Sequence, residues 1–203
     1  MSLNASRINV TLLVDKSGSM ASGKDTSSGK TRWEAARETT VGLAHALAQY
    51  DDDGIDLGMF NTSFKFHEGV TPDTVDNVWK EHFPTSGTRL APALKSAIDR
   101  AQGRKKKPED KSELIVVITD GEPEDQAEVK RTIIDAANRQ TNDEDMAILF
   151  VQFGRDPGAT AFLKSLDDDL QKAGAKFDIV DLTTEEEIAG STPIQIIEKA
   201  FND

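Results

Sequence analysis

The chain has 203 residues, with 24 Lys and Arg against 36 Asp and Glu, a net charge of −12. This acidity excludes nonspecific nucleic-acid binding, which needs a basic face to neutralise phosphate. The absence of cysteine excludes disulfide frameworks, thiolate metal sites and thiol nucleophiles, and it fits a reducing compartment. Hydrophobic residues make up 37% of the chain, enough for a buried core. No apolar run approaches the ~20 residues of a membrane span. The expectation is a cytoplasmic protein without membrane contact, one domain over residues 1–203. Residues 1–6, beginning Met1-Ser2-Leu3, read as an N-terminal extension or a remnant of cloning.

In chain order, apolar blocks at residues 8–14, 55–60, 114–119, 146–153 and 177–180 read as strands. Residues 114–118 and 147–151 are continuously apolar, as strands covered on both faces are. Between them, Trp33, Ala36, Thr40, Leu43 and Leu47 recur at helical spacing. So do Val129, Ile133 and Ala136, and again Leu163, Leu166, Leu170 and Ala173. Thr71 before Pro72 and Asp156 before Pro157 read as capped helix starts, and a last helix runs over residues 193–201. Residues 21–31, rich in Gly, Ser, Lys and Thr, read as the most flexible segment. Arg104-Lys105-Lys106-Lys107, answered by Glu109 and Asp110, reads as a solvated loop. Alternating strands and helices predict a doubly wound α/β fold, Rossmann-like, with a mostly parallel sheet and helices on both faces.

Ligands of such sheets gather at the carboxyl ends of the strands. After the first strand comes Asp15-Lys16-Ser17-Gly18-Ser19, after residues 114–119 comes Asp120-Gly121, and before the helix near Leu90 comes Ser86-Gly87-Thr88. Three loops therefore offer the carboxylates of Asp15 and Asp120 and the hydroxyls of Ser17, Ser19 and Thr88. An oxygen-only set selects a hard cation. So few charged ligands favour Mg²⁺, with Mn²⁺ or Ca²⁺ as alternatives. The Asp-x-Ser-x-Ser pattern alone is expected by chance about 0.09 times in a chain of this composition, so its weight comes from its place after the first strand.

Asp15-x-Ser17-x-Ser19, followed by Gly87-Thr88 and Thr119-Asp120-Gly121, resembles the metal-ion-dependent adhesion site of von Willebrand factor type A domains. The resemblance spans essentially the whole chain. It implies Ser17, Ser19 and Thr88 as ligands, with Asp15 and Asp120 binding directly or through water. It also implies a noncatalytic module whose protein partner presents an Asp or Glu to the metal, within an ATPase-linked or stress-response complex. Later segments are similar to members near the tellurium-resistance and copine-like branches. Ser86 departs from the family where many members carry a second Gly, and Arg89 where bacterial relatives commonly carry an acid.

Simpler readings stand beside these. Asp15, Ser17 and Ser19 are also ordinary turn residues, Thr88 is also a helix cap, and Asp120 is also a common strand-end acid. Arg89 reads as a solvated first-turn residue or as a guide for an incoming carboxylate. Glu122, Glu124 and Asp125 read as a hydrated helix start. His45, His67 and His82 lack metal-ligand spacing and read as structural, and Trp33 and Trp79 as core or groove aromatics. The rival function is a P-loop nucleotide hydrolase, because residues 18–24 have the Walker A spacing and residues 114–120 resemble a Walker B strand. Asp25, however, stands where that loop needs a Ser or Thr for Mg²⁺. A haloacid-dehalogenase type of phosphotransferase would need an acid at Ser17, and a serine hydrolase would need a nucleophile elbow the chain lacks.

Overall fold

A computed structural model describes residues 8–22, 26, 28–48, 50, 54–105, 107 and 110–201. The extension at residues 1–6, the Lys24 and Asp25 of the Walker-like stretch, and Lys106 and Glu109 lie outside them. Among the described residues, six strands form one sheet: β1 Ile8–Asp15, β2 Ile55–Phe60, β3 Phe64–Val70, β4 Ser112–Thr119, β5 Met146–Gln152 and β6 Val180–Thr184. Their order is β3-β2-β1-β4-β5-β6. All neighbours are parallel except β3, which folds back antiparallel on β2.

Among the described residues, seven α-helices cover the two faces: α1 Arg32–Leu47, α2 Val75–Lys80, α3 Ala91–Arg104, α4 Gln126–Arg139, α5 Pro157–Asp168, α6 Glu185–Ala189 and α7 Pro193–Phe201. Alternate strand residues feed separate cores. Val14, Val116, Ile118 and Leu149 pack with Leu43, Trp79 and Ile197 of α1, α2 and α7. Leu13, Ile115, Val117 and Phe150 pack with Leu94, Ile133 and Leu163 of α3, α4 and α5. The doubly wound architecture expected from the sequence is the one observed.

Helix ends follow local chemistry. Thr31 closes a capping box with Glu34 at the start of α1, and the Asp156 side chain accepts from the Ala159 N–H at 2.8 Å, each arrangement satisfying amides the helix leaves unpaired. The end of the Gly/Ser-rich segment is also held, since the buried Thr26 donates its hydroxyl to the Lys30 carbonyl at 2.7 Å.

Five sequence readings are corrected. β3 was not expected; its charged and mostly exposed residues hide the strand. The last strand occupies Val180–Thr184 instead of residues 177–180, because pairing with β5 rather than apolarity defines it. α2 starts at Val75, after a turn in which the Thr71 carbonyl accepts from Thr74 and Val75. α5 stops at Asp168, leaving Ala173 exposed.

The basic run is the fifth. Arg104 ends α3 and reaches the strands' amino-terminal edge, where its Nη2 donates to Glu113 Oε2 at 2.7 Å and its Nη1 to Asp56 Oδ2 at 2.8 Å. Asn9 adds a donor to Glu113 at 2.7 Å. Glu113 is 2% exposed, so removing the guanidinium strands a buried carboxylate. Arg104→Ala is expected to cost about 2–3 kcal/mol in a urea melt, below the full buried-pair value because Arg104 is partly solvated. A loss under about 0.5 kcal/mol would assign the pair to the surface class.

Candidate metal centre

The site lies at the carboxyl edge of the sheet, between β1 and β4. The chain leaves β1 toward β2 on one side, while β4 begins the other side. Loops diverge at such a switch point and leave a crevice. Asp15 ends β1 and Asp120 follows β4; both side chains are buried, at 0% and 1% exposure.

Asp15 Oδ1 accepts from the Ser17 N–H at 2.7 Å, and Oδ2 accepts from the Thr119 hydroxyl at 2.8 Å. The Ser17 and Ser19 hydroxyls are 3.0 Å apart, and Ser19 donates to Asp120 Oδ1 at 2.9 Å. One hydrogen-bonded network thus joins four of the five residues singled out from the sequence. Burial, then the neighbouring Asp120, push the Asp15 carboxyl up to about 7 against the pull of Ser17 and Thr119.

The fifth residue, Thr88, arrives on a loop stitched to the same edge. Gly18 N–H donates to the Ser86 carbonyl at 2.9 Å, Thr85 N–H to the Lys16 carbonyl at 2.8 Å, and Glu124 N–H to the Thr88 carbonyl at 2.8 Å. Thr88 is 8% exposed, and among the described contacts none joins its hydroxyl to the other four. It does not cap α3. Asp125 does, its two carboxylate oxygens accepting from Leu90 and Ala91 N–H at 3.0 Å each. Asp125 stands at the start of α4, as expected, and is also a strut between two loops. Ser86 has φ 68°, the left-handed region that favours glycine, which gives a physical reason for the glycine common at this position.

Sequence reasoning also missed Arg32. From the first turn of α1 its guanidinium reaches Asp120 Oδ2 at 2.7 Å. Gly154, with φ 70°, makes room; a Cβ there would stand 2.6 Å from Arg32 Nε. The sequence separation of 88 between Arg32 and Asp120 leaves no local signal. Arg89 is exposed, with its N–H donating to the Asn61 carbonyl at 3.0 Å.

The described residues of the loop after β1 do not present a phosphate cradle. Residues 18–21 form a 3₁₀ turn. The Gly18 amide is committed to Ser86, that of Met20 to Ser17 and that of Ser22 to Ser19. A Walker loop needs such amides directed at the ligand.

The family model of the von Willebrand factor type A domain matches residues 10–122. The chain belongs to this family. Comparison with curated protein sequences finds no match. Solved structures share the type A fold. One is the SpRpn10 VWA domain, 15% identical with a TM-score of 0.65, covering 93% of this chain and 96% of that one. Another is the PilB minor pilin from Streptococcus sanguinis, 15% identical with a TM-score of 0.64, over 96% of this chain and 62% of the pilin. A third is the manganese-loaded TRAP protein of Plasmodium vivax, 16% identical with a TM-score of 0.59, over 91% and 72%. This chain spans less than two thirds of the pilin's length.

In this type A fold, the Asp15 proton provides a test of the paired carboxylates. Its folded value of about 7 lies above the ordinary carboxyl value of 3.8, so the folded state binds the proton more tightly. The contribution of Asp15 to stability is full below about pH 4 and is lost as pH rises through about 7. In EDTA, the melting temperature of the wild type relative to Asp15→Asn is expected to fall between pH 5 and pH 8. A difference that is flat over that range would contradict the buried, charge-paired placement of Asp15.

Proposed function

We propose that this domain is a metal-dependent protein-interaction module, with Ser17, Ser19 and Thr88 as ligands and Asp15 and Asp120 contributing directly or through water. The observation that carries the reading is the buried pair Asp15 and Asp120, bridged by serine hydroxyls and supplied with no sulfur or imidazole. Asp120 raises the proton affinity of its buried neighbour Asp15, and a pair of such carboxylates matches the charge of a dication. The oxygen donors suit Mg²⁺, with Mn²⁺ or Ca²⁺ as alternatives. The manganese-loaded TRAP structure of the same fold supports a divalent ion.

Bound there, the cation would supply Lewis acidity toward one further oxygen ligand, and the family resemblance points to an Asp or Glu of a protein partner. The chain's own residues do the positioning. Asp15 is fixed by the Ser17 amide and the Thr119 hydroxyl, and Asp120 is oriented by Arg32. Asp125 holds the Thr88 loop to the turn after β4, and the Ser86–Gly18 bond holds it against the first loop. We assign the domain a binding rather than a catalytic role. We further propose that residues 8–201 act as one domain, since a single sheet carries both cores, and that it works in the cytoplasm, where a cysteine-free chain needs no oxidative folding. An ATPase-linked or stress-response complex remains the setting the resemblance favours.

Titration of EDTA-stripped protein with Mg²⁺ and Mn²⁺ by calorimetry tests the site. One ion per chain is expected, with Asp15→Ala and Thr88→Ala each weakening it by about tenfold or more, as loss of a ligand from a small set does. Both variants should keep the wild-type far-UV spectrum. A partner captured in Mg²⁺ should then elute with EDTA from the wild type and fail to bind Asp15→Ala. Partner retention in EDTA would defeat the metal-centred mechanism.

A further inference from the structure

His67 lies on the edge strand β3 and His82 follows α2. Fifteen residues apart, neither offers ligand spacing, yet the fold sets their Nε2 atoms 3.0 Å apart. The rings cross at 86°. Glu81 turns its carboxylate to the same point, so that one ligand atom from each of the three lies within 4.8 Å of the others. In a tetrahedral zinc complex with Zn–N bonds of about 2.0–2.1 Å, two imidazole nitrogens stand about 3.3 Å apart. The observed separation is therefore within a few tenths of an ångström of a chelating pair.

We propose that His67, His82 and Glu81 form a second cation site, separate from the oxygen-lined centre and selective for a borderline transition ion such as Zn²⁺. Imidazole nitrogen discriminates against Mg²⁺ and Ca²⁺, which take oxygen. The rings are ready for a metal. Burial first, then His67, Lys16 and Lys65, push His82 down to about 4, partly offset by Glu81; burial and Lys65 also lower His67. Both rings are uncharged at neutral pH, so binding needs only that each carry its proton on Nδ1, leaving both Nε2 lone pairs for the ion.

Two cations oppose the ion. Lys16 faces His82, and Lys65 Nζ holds Glu81 Oε2 at 2.8 Å. That Lys65–Glu81 pair is solvent-exposed, with side chains 59% and 55% accessible. An exposed pair of this kind is weak, so a dication can replace the ammonium at Glu81. The three ligands leave a fourth tetrahedral position to water or to a partner's side chain. An ion here would fasten the β2–β3 hairpin to the segment leading from α2 to Thr88. That segment is already tied to the neighbouring loops by Thr85 N–H on the Lys16 carbonyl and Asn61 Nδ2 on the Thr85 carbonyl, at 2.8 and 2.9 Å.

The test is titration of the full chain with Co²⁺ in saturating Mg²⁺, followed by visible d–d absorption. One equivalent is expected, with the intense bands of a tetrahedral nitrogen-ligated ion, displaced stoichiometrically by Zn²⁺. His67→Ala and His82→Ala should each weaken binding by about 100-fold or more, since each removes one of three protein ligands. Asp15→Ala should leave it unchanged. In the wild type, Zn²⁺ should shift the Nε2 resonances of two of the three histidines and spare His45, a readout independent of how the variants fold. No tetrahedral spectrum, binding unaffected by the histidine variants, loss of binding in Asp15→Ala, or histidine resonances that ignore Zn²⁺ would each overturn the proposal.

Discussion

Two carboxylates, Asp15 and Asp120, are held close together at the carboxyl edge of neighbouring parallel strands, and most of what surrounds them answers their repulsion. The register that pairs Val14 with Ile118 fixes both where the chain turns out of the sheet, and burial denies them the water that would screen them. The chain supplies partial compensation. Thr119 and the Ser17 amide hold Asp15, Ser19 and Arg32 hold Asp120, and the Ser17–Ser19 contact links the two. One guanidinium cannot neutralise two carboxylates. Burial first, and Asp120 second, leave Asp15 with a raised proton affinity, and the proposed divalent cation would answer both.

The loops are built to keep this arrangement rigid. Asp125 comes from the turn after β4 yet caps α3, so the loop that bears Thr88 is pinned at both ends by hydrogen bonds from other segments. Ser86 accepts a left-handed backbone to make the bond to Gly18. These ties hold the loops that carry the oxygen ligands against one edge of the sheet, the support that a site for a small, strongly hydrated ion requires.

Much of this was legible in the sequence because it is local. β1, β2, β4 and β5 are apolar runs, and Asp15, Ser17, Ser19 and Asp120 sit within five residues of a strand end. What the sequence concealed is of two kinds. β3 and β6 are polar edge strands whose identity rests on pairing with β2 and β5, and an edge strand has one neighbour and more exposed positions than a central one. Arg32, Asp125 and the His67–His82 pair take their roles from contacts 15 to 88 residues away along the chain, where neither periodicity nor motif spacing operates. The acidic edge and the imidazole pair separate by chemistry as well as by place, one offering hard oxygen and the other borderline nitrogen.

The central claim is that three loops of this fold converge on one oxygen-coordinated cation. The most direct measurement is an anomalous difference map from crystals grown in Mn²⁺. One strong peak is expected, bonded directly or through water to Ser17, Ser19, Thr88, Asp15 and Asp120. A well-ordered site with no peak, or manganese bound elsewhere while Asp15 and Asp120 keep only their protein hydrogen bonds, would contradict it.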